Sequence, residues 1–180
     1  MTLNELMLDE VKDLYHAEKQ LIKALPKMAK AATDDTLRKA LSSHLEETRG
    51  QVARLEKVFE LLDEKPRTKP CAGMRGIIEE GSDLLEEDAD GAVLDAGIIA
   101  SAQRAEHYEI GAYGTVIAWA RELGRPDVAR LLEETLREEK AADQKLSALG
   151  ESKVNAQAAR EGQEEEGQEE EEAPRKRRRK

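Results

Sequence analysis

Gln103-Arg104-Ala105-Glu106-His107-Tyr108-Glu109 lies in the middle of a long apolar run, and its reading decides the fold. Steps of three and four residues along one helix face pass through Ile99, Ala102, Glu106, Glu109, Tyr113, Val116, Ala120 and Leu123. This stripe predicts a core-facing helix over about 92–123 with two carboxylates at its centre. An ionised carboxylate is expensive to bury unless it is paired or bound to a cation. Glu106 and Glu109 therefore need partners from elsewhere in the chain.

The same spacing recurs in three other stretches. Thr2-Leu3-Asn4-Glu5 has the form of a capping box, and behind it run Met7, Val11, Leu14, Glu18, Leu21, Leu25, Met28 and Ala32, with Pro26 marking a local kink. Thr33-Asp34-Asp35 starts a second helix whose stripe is Leu37, Leu41, His44, Thr48, Gln51, Leu55, Val58 and Leu62; Glu47 lies on the same side. Gly124-Arg125-Pro126-Asp127 ends the third helix and opens a fourth, with Val128, Leu132, Thr135, Glu139, Ala142, Leu146 and Leu149 inward and Asp143 one turn beyond Glu139. Between the second and third helices, 65–91 is too long for a hairpin loop. Pro66, Pro70, Gly73 and Gly76 punctuate it, and Met74 to Glu87 can form a short amphipathic helix. A crossover of this kind lets the second and third long helices run parallel. The expected fold is all-α: a four-helix bundle over 1–150 with a helix-containing crossover.

After Gly150 the periodicity stops, and 151–180 is expected to be a disordered tail, acidic and then basic. Its nine Glu against eight Lys or Arg leave it at −1, whereas the first 150 residues, with 30 acids and 21 bases, carry −9. An acidic body argues against gripping nucleic acid and for attracting cations. The six basic residues 175–180 supply a secondary expectation of weak nucleic-acid contact. One cysteine, Cys71, excludes an intramolecular disulfide framework. With no leader pattern and no apolar run long enough to cross a bilayer, a soluble cytoplasmic protein is expected.

All four long helices thus bring polar groups, mostly acids, to mid-height of their apolar faces. Carboxylates around two hard or borderline cations neutralise one another's buried charge, the logic of di-iron and di-manganese bundles. The three histidines, His16, His44 and His107, are expected to be structural or to support ligands rather than to be ligands. Cys71 reads as packing, and Tyr113 and Trp119 as core or interface residues.

Tyr15-His16-Ala17-Glu18-Lys19-Gln20-Leu21, His44-Leu45-Glu46-Glu47-Thr48, Glu106-His107-Tyr108-Glu109-Ile110 and Leu136-Arg137-Glu138-Glu139-Lys140 resemble the signature segments of the YciF-type stress proteins of the ferritin-like superfamily. The resemblance covers residues 3 to 150. It implies a ferritin-like four-helix fold, a homodimer and a two-metal site for iron or manganese, with Glu18, Glu47, Glu106, Glu109, Glu139 and Asp143 as ligands. Oxidation of iron or reaction with peroxide would be the associated chemistry. The chain departs from the superfamily's Glu-x-x-His pairs: Arg49 follows Glu46, Gly50 follows Glu47 and Ala142 follows Glu139. Gln51 could offer only a weak carbonyl oxygen, which allows an all-oxygen site and would favour manganese or iron over copper or zinc. The alternative function is a non-enzymatic helical dimer, a scaffold making contacts through its basic tail.

Overall fold

The computed structural model describes residues 1–87, 89 and 91–161, all in helices and their connections. The helices are α1 (Leu3–Ala31), α2 (Asp35–Leu61), α3 (Ala72–Glu86), α4 (Gly91–Glu122) and α5 (Pro126–Leu149). The third and fourth long helices expected from the sequence are therefore α4 and α5.

Local chemistry sets the boundaries. At the start of α1, Thr2 N–H donates to Glu5 Oε2 at 2.7 Å and Glu5 N–H to Thr2 Oγ1 at 3.2 Å, closing the capping box. Asp34 caps α2 by accepting from Thr36 and Leu37 N–H. The α1–α2 turn is also tied to α4, because Asp95 accepts from the N–H groups of Thr33 and Asp34 at 2.7 and 2.8 Å. Gly124, at φ +68°, ends α4 in the left-handed region, and Pro126 opens α5. Helix α1 runs continuously through Pro26.

The core falls into two apolar clusters separated by a polar layer. One contains Met7, Val11, Leu14, Leu55, Val58, Tyr113, Val116 and Leu132. The other contains Leu21, Leu25, Leu37, Leu41, Ile98, Ala102 and Leu146. Each long helix crosses from one to the other, so the clusters give chain direction. Helices α1 and α5 run one way, α2 and α4 the other. The crossover produces this arrangement. Its loop runs back along α1, with Lys69 N–H donating to Lys12 O and Cys71 N–H to His16 Nδ1 at 3.0 Å. Helix α3 then packs on α1 and α4. At Gly73 a Cβ would stand 2.6 Å from the Tyr108 ring, so only glycine permits that close approach.

One boundary moves. The chain does not leave the domain at Gly150 but continues through a π turn, Gly150–Val154, and stays helical to Glu161. Val154 is 1% exposed and belongs to the second cluster. The basic run 175–180, and with it the expectation of nucleic-acid contact, lies outside the described residues. Among the described residues, no helix is long and apolar enough to cross a membrane.

Candidate metal centre

The polar layer between the two clusters is built by the four long helices. From α1 comes Glu18; from α2, His44, Thr48 and Gln51; from α4, Glu106 and Glu109; from α5, Thr135 and Glu139. All are buried, and Glu18, Gln51, Glu109 and Glu139 are 0% exposed. Each occupies the step of its stripe where an apolar residue would otherwise join the two clusters.

His44 is at the centre of the layer and is paired with acids inside the bundle. Its Nε2 lies 3.1 Å from Glu106 Oε1 and 3.7 Å from Glu139 Oε2, while Nδ1 faces Glu47 Oε2 at 3.4 Å. Burial works against its charged form, but the hydrogen bonds to Glu106 and Glu47 and the charges of Glu106 and Glu139 outweigh it. His44 therefore titrates well above an ordinary histidine. With both nitrogens protonated it acts as an internal cation. His44, Glu106 and Glu139 each present a ligand atom, all within 4.8 Å of one another. An imidazole thus stands within this group although positions 49 and 51 carry none, and it comes from the second helix by way of His44.

The acids are held where carboxylates are disfavoured. Burial raises Glu18 to about 8, against the hydrogen bond from Tyr113 and the positive charges of His44 and Arg54; Glu106 nearby raises it further. Burial and then the charges of Glu18, Glu139 and Glu106 hold Glu109 well above the carboxylate range. Glu139 is raised by burial and by Glu106. Gln51 directs its amide N–H groups to Glu139 and, at 3.1 Å, to Glu138. At the α2–α5 edge, Arg54 clamps Glu138 through both terminal nitrogens at 2.8 and 2.9 Å and donates to Thr135 Oγ1 at 2.7 Å.

The chemistry of this layer can be tested on its unpartnered atoms. Glu18 Oε2, Glu106 Oε2, Glu139 Oε2, both oxygens of Glu109 and Gln51 Oε1 are buried without hydrogen-bond partners. Every one is an oxygen, and each carboxylate oxygen accepts once its acid is ionised. Buried polar groups are normally satisfied, so a group of unpartnered buried oxygens of this kind could hold a cation.

Two of the residues expected to be ligands lie elsewhere. Asp143, with a side chain 21% exposed, is in the α4–α5 seam, where Gln103 Nε2 donates to it at 3.0 Å and His107 Nε2 lies 3.2 Å away. Four residues make slightly more than one helical turn, so Asp143 rotates about 40° from the direction of Glu139. Glu47 is half-buried at the rim and reaches the layer through His44, with Lys145 3.9 Å away on its other side. His107 is exposed and His16 secures the crossover loop, as structural histidines do. Cys71 is buried, with Sγ 3.0 Å from the Tyr108 hydroxyl.

A family model described as "Domain of unknown function (DUF892)" matches residues 2–159. Protein YciF of Escherichia coli (strain K12) is 43% identical over 158 residues, which is 87% of this chain and 95% of that protein. The crystal structure of the E. coli stress protein YciF superposes with a TM-score of 0.82 at 43% identity, covering 86% of this chain and 98% of that one. YcfI from Rhodopseudomonas palustris gives a TM-score of 0.81 at 50% identity, covering 82% of this chain and 94% of that one. A Xanthomonas campestris protein at 23% identity shares the fold, with a TM-score of 0.70 over 89% of this chain and 99% of that one.

Proposed function

The chain belongs to the DUF892 family of YciF-like proteins, and from that premise we propose that it is a stress-associated, ferritin-like protein holding two iron or manganese ions between its four long helices. The observation that carries this reading is the set of buried, unpartnered oxygens contributed by α1, α2, α4 and α5. His44, Glu106 and Glu139 would hold one ion, and Glu18 and Glu109, buried in the same layer with unpartnered oxygens, would serve a second. Bound there, such a pair supplies redox chemistry toward oxygen or peroxide. The protein's own part is to exclude bulk water with the two apolar clusters, to orient Glu18 through the Tyr113 hydroxyl and Glu139 through Gln51, and to release the His44 Nε2 proton when an ion takes its place.

Elemental analysis after anaerobic Fe(II) or Mn(II) loading tests the reading directly. About two ions per chain are expected, and Glu18→Ala combined with Glu139→Ala should lower that count while the helical circular dichroism persists. Unchanged stoichiometry in the double variant overturns the assignment. The competing reading, a metal-free structural helical protein, draws on His44 as a built-in counter-ion. It predicts no bound metal in the unaltered protein.

A further inference from the structure

Glu47 is one of the expected ligands, yet it stands at the rim of the layer with its side chain 32% exposed. There it lines two hollows at once. The outer one, between α2 and α5, has a volume of about 430 Å³ and is walled otherwise by Glu134, Arg137, Glu138 and Ala141. The inner one is a gap of about 20 Å³ that reaches Leu41, His44, Glu106 and Ala142, little more than a single water needs. Glu106 is 3% exposed, and its Oε2 is buried without a partner. One carboxylate therefore links solvent to the layer: Glu47 Oε2 is 3.4 Å from His44 Nδ1, and His44 Nε2 is 3.1 Å from Glu106 Oε1.

A cation bound for His44, Glu106 and Glu139 has to pass side chains that are almost fully enclosed. The α2–α5 seam at Glu47 obstructs it least. Ala141 and Ala142 put no long side chain across that seam. Lys145 covers it: Nζ is 3.9 Å from Glu47 Oε1, and the lysine side chain is 61% exposed, so the pair is too solvated to hold firmly. The other edges offer less. Glu138 reaches the layer through Gln51, but Arg54 holds both of its oxygens. Asp143 is engaged by Gln103 and His107 in the α4–α5 seam. Helix α3 lies across α1 and α4.

We propose that divalent cations enter the layer between α2 and α5, with Glu47 as their transit ligand and Lys145 as the cover they displace. The inference rests on the metal reading and adds a route to it. A hydrated cation drawn into the outer hollow replaces the Lys145 ammonium at Glu47, and the ammonium turns out into solvent. Exposed side chains make such turns on the picosecond to nanosecond scale. From Glu47 the ion is one side chain away from the His44, Glu106 and Glu139 atoms that lie within 4.8 Å of one another. Carboxylate oxygen suits manganese as water does, so the ion keeps ligands of the kind it takes throughout.

The test separates the rate of uptake from its end point. Chelator-treated full chain is mixed with Mn(II), the loss of the aqueous Mn(II) EPR signal gives the rate, and elemental analysis gives the final count per chain. Glu47→Gln keeps the side-chain length and an oxygen for His44 Nδ1 but removes the charge. It should slow uptake roughly three- to tenfold and leave the final count unchanged. Lys145→Met should speed uptake roughly twofold, whereas Asp143→Asn, the loss of one acid at the α4–α5 seam, should leave the rate as it is. Opposite signs at Glu47 and Lys145 are not what a general loosening of the bundle produces, and Lys145→Met carries the test should Glu47→Gln fail to fold. Full loading at a rate indifferent to both changes overturns the route alone. Equal slowing by Glu47→Gln and Asp143→Asn overturns it in favour of attraction by the acidic chain as a whole. A lower final count in Glu47→Gln overturns it by making Glu47 a resident ligand. Parent protein that takes up no Mn(II) overturns the metal reading itself, and the route with it.

Discussion

Glu109 is fully buried, and neither of its oxygens has a hydrogen-bond partner. Its burial opposes ionisation, and the charges of Glu18, Glu139 and Glu106 add to that opposition. In a metal-free protein this side chain only costs stability. Glu109→Gln keeps the shape, removes the titratable group and adds a donor among unpartnered oxygens. Chelator-treated protein carrying it should gain about 1–3 kcal/mol at neutral pH, read from urea unfolding, while the loaded protein loses metal affinity. A loss of stability in chelator would mean that Glu109 is satisfied without a cation. His44 should behave in the opposite way. His44→Ala removes the imidazolium facing Glu106 and Glu139 and leaves two buried acids with no cation between them. A loss of about 3–5 kcal/mol in the apoprotein is expected, and adding Mn(II) should restore part of it. Restoration would show that an ion can take the place of the imidazolium between Glu106 and Glu139.

At the scale of elements, the four long helices were legible because each carries a stripe of three- and four-residue steps long enough to average out single exceptions. The crossover was legible from its length and its prolines. The acids Glu18, Glu106, Glu109 and Glu139 were visible as charges on apolar stripes, where solvation cannot explain them. His44 was on its stripe too, but its role depends on distances to Glu106 on α4 and Glu139 on α5, which no single-helix pattern contains. Asp143 was misplaced for a related reason: a drift of about 40° per four residues separates core from seam. The extension past Gly150 escaped notice because it buries little besides Val154, among Glu151, Ser152, Lys153 and Asn155. One apolar contact has no period. It is nonetheless fastened at both ends, by Lys153 to Asp34 and by Glu161, which accepts from Ala92 N–H at 2.7 Å. Val154→Ala should therefore lower global stability by about 1–3 kcal/mol, whereas Lys153→Ala, which removes a half-exposed lysine and leaves Asp34 capping α2, should change it less. Equal, negligible effects would place the extension outside the cooperative unit. A test of the basic tail should accordingly truncate after Glu161 rather than after Gly150.

Over the whole molecule, the buried layer makes the apoprotein's stability depend on pH in an unusual direction. Glu18, with its pKa raised to about 8, and Glu109 and Glu139, also raised, bind protons more tightly folded than unfolded. Their contribution is fully present below the unfolded carboxylate range near 4.5 and is lost as pH rises through the folded values. His44 has the same sign: raised in the fold, it stabilises below its unfolded value near 6.5 and ceases to do so as pH climbs through its folded one. The surface acids oppose this only at low pH. Asp9, Asp34 and Asp127 are lowered by Lys12, Lys153 and Arg125 respectively, and their support disappears as pH falls through their depressed values below 3.8. Between pH 5 and 8 the buried layer therefore dominates, and the chelator-treated protein should melt at progressively lower temperature across that interval. Cations replace protons in such a layer, and their binding should release protons and tighten with pH. The gap in Tm between Mn(II)-loaded and chelated protein should widen from pH 5 to pH 8, and proton release should appear as a buffer-dependent heat in titration calorimetry. A chelated protein whose Tm is flat over this range would mean that the acids are not held protonated in the fold. A gap that narrows instead would place any bound Mn(II) away from Glu18, Glu109 and Glu139.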